Sequence, residues 1–123
     1  MNPRLALSAI LLLAFALALG CASYDRRAGV ANSWRKESLP AIEDGVTTRA
    51  QVLELLGPPS QVIGLDDRVV LYYLRERTRG SIQVFFVYNR QSENIIYDRA
   101  IFFFDGSGIL EEHAFSEEEI PLE

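Results

Sequence analysis

The 123-residue sequence has one cysteine, one histidine, one methionine and one tryptophan. With Cys21 as the single thiol, no intramolecular disulfide can form, so a packed core has to stabilise the fold. His113 has no second histidine or unmodified thiolate to join it, which argues against a zinc cluster. Carboxylate pairs occur at Asp66-Asp67 and Glu111-Glu112, but the first is expected in a turn. Adjacent strand residues point to opposite faces, so the second cannot act as a glycosidase pair. Gly106-Ser107-Gly108 lacks the lysine of a phosphate loop. These shortages leave no catalytic residue, no metal site and no cofactor to nominate, and an enzyme is not expected. Basic residues are also few, 12 against 17 acidic ones for a net charge of −5, so nucleic acid is not an expected partner.

What is present begins at the amino terminus. Arg4 and the terminal amine give a positive start, and residues 5–19 are apolar or small. Crossing the hydrocarbon takes about 20 apolar residues, whereas a signal-peptide core takes roughly 7 to 15. Ala18-Leu19-Gly20-Cys21 then places small residues before a thiol. This resembles the lipobox of bacterial lipoproteins. The resemblance implies cleavage before Cys21 and acylation of that cysteine. An unpaired thiol in an oxidising compartment is otherwise a liability. Several acyl chains, at about 0.8 kcal/mol per buried CH₂, hold a small domain on a membrane where one does not. Ala22 after the cysteine resembles lipoproteins forwarded to the outer membrane. Removing 20 of 123 residues leaves 103, and the loss of Arg4 takes the net charge from −5 to −6.

The mature chain divides by composition. Residues 21–37 are polar and small, expected as a flexible tether, with Trp34 either interfacial or packed on the domain edge. Residues 38–115 carry the domain. Leu39 to Thr48 reads as a helical turn, a glycine stop at Gly45 and a new helix start. Thr48 and Gln51 have capping-box spacing. Val52, Leu55 and Leu56 form one apolar stripe, and Gly57-Pro58-Pro59 ends the helix. Four strands are expected after it: Arg68 to Arg75, Ser81 to Tyr88 with Ile82, Val84, Phe86 and Tyr88 on one face, Ala100 to Phe104, and Ile109 to Phe115. Asp105-Gly106-Ser107-Gly108 joins the last two. The fold class is α+β, a two-layer sandwich with one or two short N-terminal helices packed on a four-stranded antiparallel sheet. Residues 116–123 are expected as a solvated acidic tail, and His113 faces outward in phase with Glu111 and Ile109.

The stretch from Ile42 to Pro59, with the aromatic segment Leu71-Tyr72-Tyr73-Leu74 and the turn Phe104 to Ile109, resembles the SmpA/OmlA outer-membrane lipoproteins, the BamE-like family. That resemblance implies a non-catalytic accessory protein on the periplasmic face of the outer membrane, helping to assemble or stabilise an envelope complex. The expected partners are the membrane, through lipid on Cys21, and an outer-membrane or periplasmic protein. A second reading is a periplasmic binding or inhibitor module of the beta-lactamase-inhibitor-like fold, and a hydrolase is the least supported. One surface feature stands out: Arg75, Arg77 and Arg79 in an acidic domain, expected at a hairpin tip. There they could contact anionic headgroups or an acidic partner.

Overall fold

A computed structural model describes residues 2–17, 20–85 and 88–122. Helix α1 (Pro3–Leu17) buries no residue. Among the described residues no helix is long and apolar enough to cross a membrane. Ala18 and Leu19 of the lipobox, Phe86 and Val87 of the expected second strand, and Glu123 of the tail lie outside the described residues. Strand β1 (Gly20–Gly29) leads to one 3₁₀ turn (Ser33–Arg35), helix α2 (Arg49–Leu56) and four further strands. These are β2 (Gln61–Gly64), β3 (Val69–Phe85), β4 (Tyr88–Phe104) and β5 (Leu110–Leu122).

All pairings are antiparallel, with β3, β4 and β5 adjacent in that order. β1 and β2 lie end to end along the free edge of β3, against residues 75–84 and 69–72. β3 and β4 have 17 residues each, a hairpin of about 55 Å at 3.3 Å per residue. The α+β class holds, with five strands where four were expected. β1 and β2 are the additions, since two of the expected strands merge in β3, and just after β2 the Leu65 N–H donates to the Arg68 carbonyl at 2.8 Å across Asp66-Asp67.

Helix α2 forms as its sequence dictates. Thr48 Oγ1 accepts from the Gln51 N–H at 3.2 Å, and Gln51 Oε1 accepts from the Thr48 N–H at 2.9 Å. Gly57 ends it at φ 77° and ψ −164°, a region that glycine alone enters freely. The Gly57 carbonyl accepts from Tyr73 Oη at 2.9 Å, tying the helix stop to the sheet. No helix forms over Leu39 to Thr48, which runs as turns. Its backbone spends its polar groups on the start of β5, with Gly45 N–H donating to the Leu110 carbonyl and Leu110 N–H to the Thr47 carbonyl.

The core lies between α2 and one end of the sheet. Trp34, Val52, Leu56, Leu71, Tyr73, Ala100, Phe102, Phe104 and Leu110 form one buried cluster. Large side chains such as Tyr73 and Phe102 contribute roughly 1.5–3 kcal/mol each when fully buried. Tyr73 packs edge-on against Phe102 with centroids 5.8 Å apart. Burial pushes the Tyr73 phenol up to about 12.

Three expectations need correction. Residues 21–37 are paired along β3 and then fold onto the core, because the long β3 offers an unpaired edge with ladder hydrogen bonds for β1. The first two expected strands, Arg68 to Arg75 and Ser81 to Tyr88, are not separate hairpin arms. Val69 to Phe85 is one strand, and Tyr88 opposes Phe85 from the next. Residues 116–122, expected as a solvated acidic tail, instead extend β5 along β4 as far as the Glu93–Leu122 pair, with their side chains exposed.

Candidate functional site

The face of the sheet that carries the core continues past the helix and changes chemistry. On β3, Val69, Leu71 and Tyr73 share a face with Arg75, Arg77 and Arg79, since side chains alternate along a strand. On β4, Phe104, Phe102 and Ala100 are followed on that face by Asp98 and Ile96, which oppose Arg75 and Arg77. The boundary between the two chemistries is Asp98.

Asp98 is buried, and a buried carboxylate requires partners. They come from the 3₁₀ segment. Trp34 Nε1 donates at 3.0 Å, Asn32 Nδ2 at 3.1 Å, and Arg35 through Nε and Nη2 at 3.1 and 2.9 Å. Arg75 Nη1 in turn donates to Asn32 Oδ1 at 2.8 Å. Burial pushes the Asp98 carboxyl up, but the donors from Arg35, Trp34 and Asn32 outweigh it and hold the group below its ordinary value. Trp34, left open by sequence between interface and domain edge, is buried against Tyr73. Asp98 went unnoticed in the sequence. The available signal was its phase, an acid in step with Ala100, Phe102 and Phe104.

The three arginines lie mid-strand, so their expected place at a hairpin tip is corrected. β3 does not turn at Gly80: its ladders with β1 and β4 run on to Val84 and Phe85, and the ring of Tyr24 covers that glycine. A Cβ there would meet the ring at 2.2 Å. Tyr24 Oη reaches across to donate to Glu93 Oε2 at 2.6 Å, so an aromatic on β1 replaces the side chain glycine lacks. The arginines line one groove with Asp98, Glu117 and Glu119. Arg77 is paired with Asp25, Arg75 is held by Asn32, and among the described residues Arg79 makes no ion pair. Cys21 is exposed, opposite Gln83 at the far end of the sheet from the core.

His113 faces the core side instead of outward. Phe104 opposes Leu110 while Phe103 opposes Glu112, so Glu111 is an extra residue in β5. One inserted residue reverses the facing of everything beyond it. His113 therefore opposes Phe102, stacks on it at 5.9 Å, and bonds Asp44 Oδ1 through Nδ1 at 2.6 Å. The imidazole pins the turn before α2 to the edge strand. Among the described residues no three His, Cys, Asp or Glu side chains are grouped to hold a metal.

Residues 31–113 match the family model of the outer membrane protein assembly factor BamE domain. The chain belongs to the BamE domain family. The BamE domain thus begins at Ala31, just before the Asn32-Trp34-Arg35 clamp on Asp98, and ends at His113 on the sheet edge. It takes in α2, β2, β3, β4 and the start of β5, and leaves β1 with Cys21 outside. The family is one of accessory factors in outer-membrane protein assembly. No curated protein matches, and no solved structure does.

Proposed function

We propose that this chain is a lipid-anchored, non-catalytic accessory protein, cut before Cys21, acylated on that cysteine and held on the periplasmic face of the outer membrane. There it helps to assemble or stabilise an outer-membrane protein complex. The observation that carries the reading is the BamE domain match over residues 31–113, downstream of a signal-like segment ending at an exposed Cys21. Within it, Arg75, Arg77 and Arg79 contact an acidic surface of the protein partner, with Arg79 the most available guanidinium.

Two measurements test the reading. Mass analysis of the mature amino terminus is expected to find a lipidated Cys21, and an intact Met1 or a free thiol removes the anchor. Detergent-solubilised envelopes are expected to yield a β-barrel assembly complex on pull-down. A clean preparation without outer-membrane proteins, or a complex released without detergent, favours a soluble periplasmic binding module instead. Changing the three arginines to serine is expected to weaken the pull-down. Loss of binding to anionic liposomes in that variant would reassign the row to lipid.

A further inference from the structure

The last described pairs of the β3–β4 hairpin, up to Phe85 and Tyr88, form an apolar tip beside Cys21. Val84, Phe85 and Tyr88 are 42%, 40% and 57% exposed. The Phe85 and Tyr88 rings stack on each other at 6.5 Å and 28°, and helix α2 lies at the other end of the sheet. Large apolar groups grouped in water mark an interaction site.

Register determines what lies next to the tip. Gly20 opposes Val84 and Cys21 opposes Gln83, which on its other side opposes Arg90. Cys21, Gln83 and Arg90 therefore form one row across the sheet, two residues from Phe85. Among the described residues Arg90 makes no ion pair.

We propose that this tip inserts into the lipid bilayer beside the acylated Cys21, making Val84, Phe85 and Tyr88 a second membrane contact. The proposal rests on the anchor reading above and deepens it. An aliphatic chain and a phenyl ring suit the acyl region, and tyrosine suits the interface, where its ring is half dry and its hydroxyl wet. Arg90 can place its guanidinium among headgroup phosphates while its stem stays by the tip. Lipid chains on a flexible tether would leave the domain free to tumble. Lipid plus an inserted hairpin defines a direction. From Phe85 to Arg75 the strand runs about 33 Å, so the hairpin becomes a stalk that lifts the helix-covered core off the membrane. The arginine row then stands above the headgroups, where a protein partner would meet it.

The test uses the full chain, processed in a Gram-negative host, with Tyr88→Cys. Acylation consumes Cys21, so the introduced thiol is the one that takes a polarity-sensitive dye. Ser107→Cys, in the turn at the opposite end, is the control. Both are reconstituted in phosphatidylethanolamine and phosphatidylglycerol vesicles with or without brominated acyl chains. The expected result is a blue shift and bromine quenching at position 88 and neither at 107. Adding Phe85→Ser, a change at an exposed position, is expected to reduce the quenching. An unshifted dye at 88 on a chain whose mass shows acylated Cys21 overturns the tip contact and leaves the anchor reading intact, and so does equal quenching at both positions. An unmodified Cys21 overturns the anchor reading, and the proposal with it.

Discussion

On the core-bearing face of β3, Val69, Leu71 and Tyr73 lie beneath or beside α2, while Arg75, Arg77 and Arg79 continue the same row in the open. The strands, the register and the pairing partner β4 do not change between the two regions. What changes is the second layer. The covered end buries rings and aliphatic chains in one cluster, whereas the open end is held by backbone ladders and exposed charge pairs. Burial, more than sheet formation, decides where the stability lies. The open end is correspondingly the one available for the proposed membrane and partner contacts.

Removal of a core ring has the largest expected effect. Phe102→Ala is expected to cost about 3–5 kcal/mol, read as a lowered urea midpoint. A loss no larger than that of a surface substitution would mean that the covered end is not the stability centre. Asp98→Ala, at the boundary, is expected to cost about 3 kcal/mol by leaving Trp34 and Arg35 unpaired. Its pH dependence has a definite sign. The Asp98 carboxyl is held below its ordinary value, so it stabilises fully above the ordinary aspartate range and loses that contribution as pH falls through the lowered value. The difference in unfolding free energy between wild type and Asp98→Asn should shrink on acidification, and a difference that grows in acid would contradict the clamp.

Smaller effects are expected at the helix cap and in the open end. Thr48→Ala removes the capping hydroxyl and is expected to cost about 1 kcal/mol, detectable by denaturation. Gly80→Ala should displace the Tyr24 ring and break its bond to Glu93. Hydrogen exchange is expected to quicken in β1 while the covered end keeps its protection. Uniform loss of protection would show that the two ends open together. Least of all, Arg77→Ser removes an exposed pair with Asp25 and should leave the denaturation midpoint unchanged.

The parts of the fold legible in the sequence are those governed by neighbours in the chain. The capping box at Thr48 and Gln51, the stop at Gly57 and the turn at Asp105 each use side chains within a few residues of one another. The misplaced turn at Arg75 to Gly80 has the opposite origin. Gly80 and a polar run signal a turn locally, whereas pairing with Glu93 on β4 and with Tyr24, 56 positions earlier in the chain, holds the site as strand. The facing of His113 failed in the same way. The bulge at Glu111 belongs to the pairing with β4 and leaves no mark in the alternation of β5 itself. At the candidate site, Cys21 and the arginines are named by local sequence, while Asp98 signals itself only by its phase with Ala100, Phe102 and Phe104.

Short-range hydrogen bonding and apolar periodicity are written in consecutive residues, and they specify the helix and its ends, the hairpin at Asp105, the α+β class and the family resemblance. Tertiary pairing and packing are what make residues 20–29 an edge strand, close Trp34 and Arg35 over Asp98, and set Val84 and Phe85 beside Cys21. Those outcomes depend on register between segments up to 69 positions apart, and register follows from which strand edges and buried charges the folded chain leaves to be satisfied.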